Sequence, residues 1–190
     1  LVAIQAGPGP VPLKLIAERA GLAASAAHNY LVSLVRTGMV EAPTRGQYRL
    51  GPSLASFGLS ALREIDFFDV VRDEAVALSD RTQRGVAVLT WSNAGTAIVY
   101  HREGARRGAF DLRNGPVSTL HTGGGNVFMA YLDPAETLPV VQKEAAAEGL
   151  SDKDARRKLD EIRRSVLAVG YAVCDLSELP GYRAISAPVW

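Results

Sequence analysis

One glycine constrains this chain more than any other residue. Gly21 stands between two helical patterns in IAERAGLAASAAHNYLVSLVRTGMV, residues 16–40. The first pattern begins near Leu13 and includes Ile16, Ala17 and Ala20. The second runs from Ala24 to Val35 and sets Ala27, Tyr30, Leu31, Leu34 and Val35 on one face, the spacing of a buried helical stripe. Glycine tolerates the left-handed conformation that follows a helix C-terminus. The stretch therefore reads as helix, tight turn, helix, with Ser25 placed to accept from free N–H groups at the second start. Ahead of it, three prolines and two glycines within residues 7–12 exclude a helix. The preceding LVAIQA reads as the tail of another helix, as though the chain began inside it.

Two short strands are expected next. Val40 lies on one, Tyr48 and Leu50 on the other, and Pro43-Thr44-Arg45-Gly46 forms the turn between them. Two helices at a tight turn followed by a hairpin make a winged helix-turn-helix. Gly51-Pro52-Ser53 then opens a helical pattern with Leu54, Phe57, Leu62 and Ile65 on its apolar side, which suits a linker helix or a dimer seam. This divides the chain into a winged helix-turn-helix at residues 1–50, a linker helix at 51–65 and a second domain at 66–190.

The second domain alternates. DFFDVVRDEAVALSDRT reads as an amphipathic helix with Asp66 as its N-cap, and GVAVLTW and TAIVYH as a hairpin turning at Ser92-Asn93-Ala94-Gly95. AFDLR suggests a third strand closed by Asn114-Gly115-Pro116. A helix enters through Gly123-Gly124-Gly125, and another lies around 135–148 with Pro139 in or near its first turn. Ser151 and Asp154 form a variant capping box; the helix it opens puts Ala155, Leu159, Ile162 and Val166 on one stripe. GYAVC and RAISAPV are the last strands. Helices on one side of an antiparallel sheet give an α+β domain. A strand-like run ending at Trp190 would leave an open sheet edge, so both ends of the natural protein are expected to lie outside these residues.

Composition narrows the setting. Hydrophobic residues make up 47% of the 190 and charged residues 22%, ordinary values for a globular protein. No run of about 18 apolar residues occurs, and LVAIQAGPGP has no basic n-region, so neither a membrane span nor a signal peptide is expected. Cys174 is the only cysteine, which excludes an internal disulfide and a cysteine-rich zinc site and fits a cytoplasmic setting. Residues 1–65 hold six Lys or Arg against three Glu, a net +3, whereas the remainder is net −2. A mildly basic head on a mildly acidic body fits a DNA-binding module joined to another domain.

Four stretches in order resemble the IclR family of bacterial transcription regulators over essentially the whole chain. They are IAERAGLAASAAHNYLVSLVRTGMVE, GQYRLGPSLASFG, LHTGGGNVFMAYL and GYAVCDLSELPGYRAISAPV. The resemblance implies a winged helix-turn-helix, a linker helix and a GAF-like effector domain. It also implies homodimers or homotetramers, double-stranded operator DNA, and a small organic acid as effector. Two departures stand out. Where the family has Lys, Thr and Arg in its recognition helix, this chain has Ala24, Ala26 and Asn29, and Asn126 replaces a basic residue in the effector segment.

The second helix thus carries no Lys or Arg from Ala24 to Val35. Opposite its buried stripe lie Ser25, Ala26, His28, Asn29, Ser33 and, near the end, Arg36. Asn bonds adenine through two hydrogen bonds in the major groove, so Asn29 is the leading base reader, with Ser25 and His28 for base or phosphate. Phosphate neutralisation falls to Lys14, Arg19, Arg36, Arg45 and Arg49, and Arg45 at the wing tip suits a narrow minor groove. The other reading is a winged helix turned protein-interaction surface.

For the effector, three glycines before a helix present N–H groups to an anion, unless they serve only close packing. By resemblance, Gly123, Gly124, Cys174 and Ala184 match ligand contacts, with Asp175 and Ser186 as neighbours and Thr122 adding a hydroxyl. With no base at this loop, the effector could equally be uncharged or aromatic. Enzymatic readings have little support. His28, His101 and His121 are scattered, no metal-ligand spacing or phosphate loop occurs, and Cys174 with His121 is a weak nucleophile–base candidate against a small buried cysteine. No cofactor or metal is expected.

Overall fold

The computed structural model describes residues 1–5, 9–64, 68–105, 113–175 and 183–190. They form two compact units, Leu1–Phe68 and Asp69–Trp190. Residues 109–112 of the expected third strand AFDLR and the Asp66 cap fall outside the described residues, as does Ile65.

In the first unit, α1 (Val2–Gln5), β1 (Val11–Pro12), α2 (Leu13–Ala20) and α3 (Ala24–Arg36) precede β2 (Val40–Thr44), β3 (Gln47–Leu50) and α4 (Ser53–Arg63). Gly21 closes α2 in the left-handed conformation at φ 63°, and its N–H goes back to Ala17 O and Glu18 O. Ile4, Val11, Ile16, Leu31, Val40 and Tyr48 form the core, so each helix of the pair is anchored on the sheet behind it.

Four expectations change here. The sheet has three strands in the order β1-β3-β2, because the proline-rich stretch supplies β1, pairing Val11 with Tyr48. Strand β2 runs on through Pro43 and Thr44, so the wing turns only at Arg45 and Gly46. The N-cap of α3 is Ala23, with no side-chain cap, and Ser25 lies inside the first turn. Tyr30 is 64% exposed and Val35 is exposed too, because Ala27 and Leu31 alone reach full burial on α3. Helix α4 buries none of its residues, and Phe57 is 55% exposed.

The second unit comprises α5 (Phe68–Thr82, entering from the first unit), the hairpin β4 (Val86–Ser92) and β5 (Gly95–Arg102), β6 (Gly115–Pro116), α6 (Gly123–Tyr131), α7 (Pro134–Ala147), α8 (Asp152–Val169), β7 (Ala172–Asp175) and β8 (Arg183–Ser186). Gly115 and Pro116, read as a closing turn, instead pair with Ile98 and Ala97 as a short edge strand, a place that suits a proline with no N–H to give. The described strands form two ladders, β4-β5-β6 and β7-β8, instead of one sheet. Helix α7 starts at Pro134, so Pro139 stands in its second turn.

Helix α6 is the hub of this unit, touching β5, β7, β8, α7 and α8. Met129 and Ala130 are fully buried there, packed respectively with Val141, Ala145 and Leu159 and with Val166 and Ala172. Arg163 of α8 donates to Met129 O and Leu132 O at 3.0 and 2.7 Å, a cation on the carbonyls at the α6 C-terminus. Ser151 caps α8 by accepting from Asp154 N, as the sequence pattern predicts.

Candidate functional sites

Two places carry the expected residues, one in each unit. On α3 the buried positions Ala27 and Leu31 fix which way the helix faces. At about 100° per residue, the stripe pointing directly away from them is Ser25, Asn29, Val32, Ser33 and Arg36, all exposed. His28 lies on the flank of that stripe, and its Nδ1 is 3.3 Å from the hydroxyl of Tyr48 on β3. The Ser33 hydroxyl is turned back onto Asn29 O at 3.3 Å, so its proton is engaged by the helix itself. Sequence reasoning passed over Val32, an apolar side chain 44% exposed at the edge of the stripe toward His28. The signal was its spacing, i+3 from Asn29 and i+4 to Arg36.

The cations around α3 differ in freedom. Arg45 is exposed at the wing tip beside Gly46. Arg49 is held by Glu41 across the wing, with Nε and Nη2 both 2.7 Å from Glu41 Oε2. Arg19 donates to Ala3 O at 3.0 Å and ties α2 to α1. Two of the expected phosphate contacts therefore already have partners.

In the second unit, alternation along β7 and β8 sorts the expected effector residues. Register pairs Cys174 with Ala184 and Ala172 with Ser186 on the face toward α6, and Asp175 with Arg183 on the other. Thr122, Gly123, Gly124, Cys174, Ala184 and Ser186 are thus gathered about the start of α6. Asp175 is not, and its carboxylate pairs with Arg183 at 2.7 Å.

The glycines are enclosed. A Cβ on Gly123 would lie 2.6 Å from Ser186 Oγ, one on Gly124 2.7 Å from Leu89 Cδ2, and one on Gly125 2.1 Å from the Thr119 carbonyl. All three positions are filled by close packing. Thr122 caps α6 by accepting from Gly125 N at 3.1 Å while its hydroxyl donates to Ser118 O at 2.6 Å. In the loop before it, Glu144 of α7 accepts from Ser118 Oγ, Thr119 N and Leu120 N at 2.8 to 3.0 Å. A carboxylate therefore does occupy backbone N–H groups ahead of α6, but it is the protein's own.

Cys174 is half-buried, 3.4 Å from the Asn126 amide. That amide is best satisfied with its nitrogen on Leu120 O and Thr122 O, each at 3.3 Å, and its oxygen toward the thiol. Burial pushes the Cys174 thiol up from its ordinary range, and the negative charge of Asp175 adds to this. His121 is engaged elsewhere, with Nε2 2.5 Å from Glu148 Oε1. An open cavity of about 240 Å³ lies between α6, α8 and β7, lined by Asn126, Ile162, Ser165, Val166, Tyr171 and Ala172 among others. It adjoins the expected effector residues without including them. Among the described residues no three His, Cys, Asp or Glu side chains are grouped to hold a metal ion, and no helix is long and apolar enough to cross a membrane.

The chain joins a winged helix-turn-helix to an α+β unit, and three comparisons with known proteins find relatives of the same layout. Residues 1–43 match the IclR helix-turn-helix domain. The "probable HTH-type transcriptional regulator ArcR" of Halobacterium salinarum is 24% identical over 185 residues, covering 94% of this chain and 70% of that protein. An IclR family transcriptional regulator from Brucella abortus superposes with a TM-score of 0.71 at 18% identity, over 88% of this chain and 65% of that one. An IclR homolog from Microbacterium hydrocarbonoxydans, complexed with 4-hydroxybenzoate, gives a TM-score of 0.57 at 17% identity, over 91% of this chain and 72% of that one. Residues 1–43 thus carry a helix-turn-helix of the IclR type, and the chain as a whole is similar in fold to IclR transcriptional regulators.

Proposed function

We propose that this regulator binds an operator in double-stranded DNA as a dimer and that a small organic acid held by its second domain alters that affinity. The winged helix-turn-helix is assigned to residues 1–50, the linker helix to 51–65 and the effector domain to 66–190. The observation that carries the reading is the outward stripe of α3, where Ser25, Asn29 and Arg36 stand clear of the core as a major-groove helix requires. Asn29 reads adenine, and Lys14, Arg36, Arg45 and Arg49 meet phosphate or minor groove. So few free cations make binding weak per subunit. The apolar side of α4 that carries Leu54, Phe57 and Leu62, with Phe57 exposed, is the seam for a second copy.

The effector contacts assigned are Thr122, Gly123, Gly124, Cys174, Ala184 and Ser186, with Asp175 at the margin. A structural relative holds 4-hydroxybenzoate, an aromatic acid, which supports an aromatic or carboxylic effector here. With Glu144 occupying the loop N–H groups, the ligand meets the N–H groups of Gly123 and Gly124 and the hydroxyl of Ser186. The protein works in the cytoplasm and is a regulator rather than an enzyme.

One observation favours a second reading. Leu22, Tyr30, Val32 and Val35 expose apolar surface on and beside α3, which would suit a protein partner. Fluorescence anisotropy with DNA from the protein's own upstream region, against a random duplex and at several salt concentrations, separates the two. Specific binding with a steep salt slope, weakened in Asn29→Ala and Arg45→Ala, supports the operator reading. A folded protein with no preference over random DNA refutes it in favour of a protein partner.

A further inference from the structure

Tyr48 has a place in the recognition surface that its burial conceals. The residue is only 7% exposed and belongs to the core of the first unit, yet its hydroxyl reaches His28 Nδ1 on the flank of α3 at 3.3 Å. The contact crosses from strand β3 of the wing to the recognition helix, the two elements that must be held in fixed relation on a duplex. It also engages one of the two ring nitrogens of His28. With Nδ1 taken, Nε2 alone is left to face outward, and the hydrogen bond at one ring nitrogen sets the protonation of the other. A phenol is a better donor than acceptor; with the Tyr48 O–H donating to Nδ1, the proton of a neutral imidazole sits on Nε2. The outward atom is then a donor, suited to an acceptor on a base edge. Guanine presents two such acceptors, N7 and O6, in the major groove.

We propose that Tyr48 is a positioning residue that fixes the ring and tautomer of His28, so that His28 Nε2–H reads a guanine in the major groove. This rests on α3 being a DNA-reading helix. It adds a guanine reader beside Asn29 and makes the wing part of base recognition through its core side instead of its tip.

The preferred site is first selected from a randomised duplex. Affinities for that site are then measured for the wild type, Tyr48→Phe, His28→Ala, His28→Asn and the double variant Tyr48→Phe/His28→Ala, with 7-deazaguanine replacing each guanine in turn to delete its N7 acceptor. We expect one guanine at which 7-deazaguanine weakens wild-type binding roughly five- to tenfold and leaves His28→Ala unaffected. His28→Asn, which keeps an acceptor near the Nδ1 position and loses Nε2, should behave as His28→Ala. Tyr48→Phe should blunt the discrimination at that same guanine and cost nothing further in the His28→Ala background. Thermal melting of Tyr48→Phe separates lost stability from lost reading. Equal losses from Tyr48→Phe with and without His28, or no guanine that distinguishes wild type from His28→Ala, would overturn the proposal. A wild type that enriches no sequence in the selection would remove the DNA reading itself.

Discussion

Glu144 on α7 takes the backbone N–H of Thr119 on both of its carboxylate oxygens, at 2.9 and 3.0 Å, and so holds the loop that leads into α6. The same carboxylate accepts from Leu120 N and the Ser118 hydroxyl. Charge-assisted bonds of this kind are the strong ones, and an abandoned half-buried donor costs its full desolvation. Glu144→Ala should therefore lose about 2 to 3 kcal/mol in urea unfolding, and Glu144→Gln less, because an amide keeps one acceptor. A loss below the change at the exposed neighbour Lys143→Ala would show that the loop stands without this carboxylate.

Three adjacent glycines differ in what surrounds them, so alanine should not affect them equally. At Gly125 the added carbon meets the Thr119 backbone, which cannot swing aside; at Gly123 it meets the end of Ser186. Gly125→Ala is expected to destabilise by about 3 kcal/mol and Gly123→Ala by about 1 kcal/mol, the range of overpacked cores. Removing the Ser186 side chain in the Gly123→Ala background should restore most of the smaller loss. Equal effects at both positions in denaturant titrations would contradict the close-packing account.

The helix-turn-helix was largely legible because Gly21 and the α3 periodicity are local signals. The same holds for the Ser151 cap, where a hydroxyl three residues before Asp154 names its own hydrogen bond. Strand β1 was not legible, since two residues beside prolines carry no periodicity and become a strand only because Tyr48 and Gln47 lie opposite them. Tyr30 misled for a related reason. It sits one step off the stripe defined by Ala27 and Leu31, and hydrophobicity alone assigned it inward. The glycine triplet reads from sequence as an anion cradle or as tight packing, and the tertiary neighbours that crowd it, Ser186 among them, lie far along the chain.

The Ser151–Asp154 cap gives a pH dependence of known sign. Hydrogen bonds from the Ser151 hydroxyl and backbone hold the Asp154 carboxyl below the usual carboxylate range. A carboxylate with a depressed folded-state pKa adds stability that is present above its unfolded pKa and is lost as pH falls through the folded one. Ser151→Ala should cost about 1 kcal/mol at pH 7 through the lost cap. The gap to wild type should narrow toward pH 3 as Asp154 takes up its proton, near the ordinary value of about 3.9 in the unfolded chain. Urea titrations of both proteins at the two pH values check this, and a constant gap would rule out the Asp154 contribution.

Val32 offers a test of the proposed DNA-reading stripe at the level of single methyl groups. Apolar side chains in the major groove contact the C5-methyl of thymine, and Val32 stands between Asn29 and Arg36, 44% exposed. Replacing thymine by uracil, one position at a time, should weaken wild-type binding about threefold at a single site, the worth of roughly one buried methyl. Val32→Ala should be indifferent to the same replacement. Equal uracil penalties in both proteins would place Val32 away from the bases.

Arg49 decides how much charge the wing brings to phosphate. Its guanidinium is bound to Glu41, and both side chains are exposed, so the pair itself adds little stability while cancelling a cation on the wing. Glu41→Gln should leave thermal stability nearly unchanged. It should also tighten DNA binding at low salt, because a free Arg49 can displace one more counterion. Each added phosphate contact steepens the slope of log affinity against log salt by about 0.9 on a duplex. Anisotropy titrations across a salt series would show that increment in Glu41→Gln and its disappearance in Glu41→Gln/Arg49→Ala. An unchanged slope would mean that the wing touches the duplex through Arg45 alone and that Arg49 serves the hairpin.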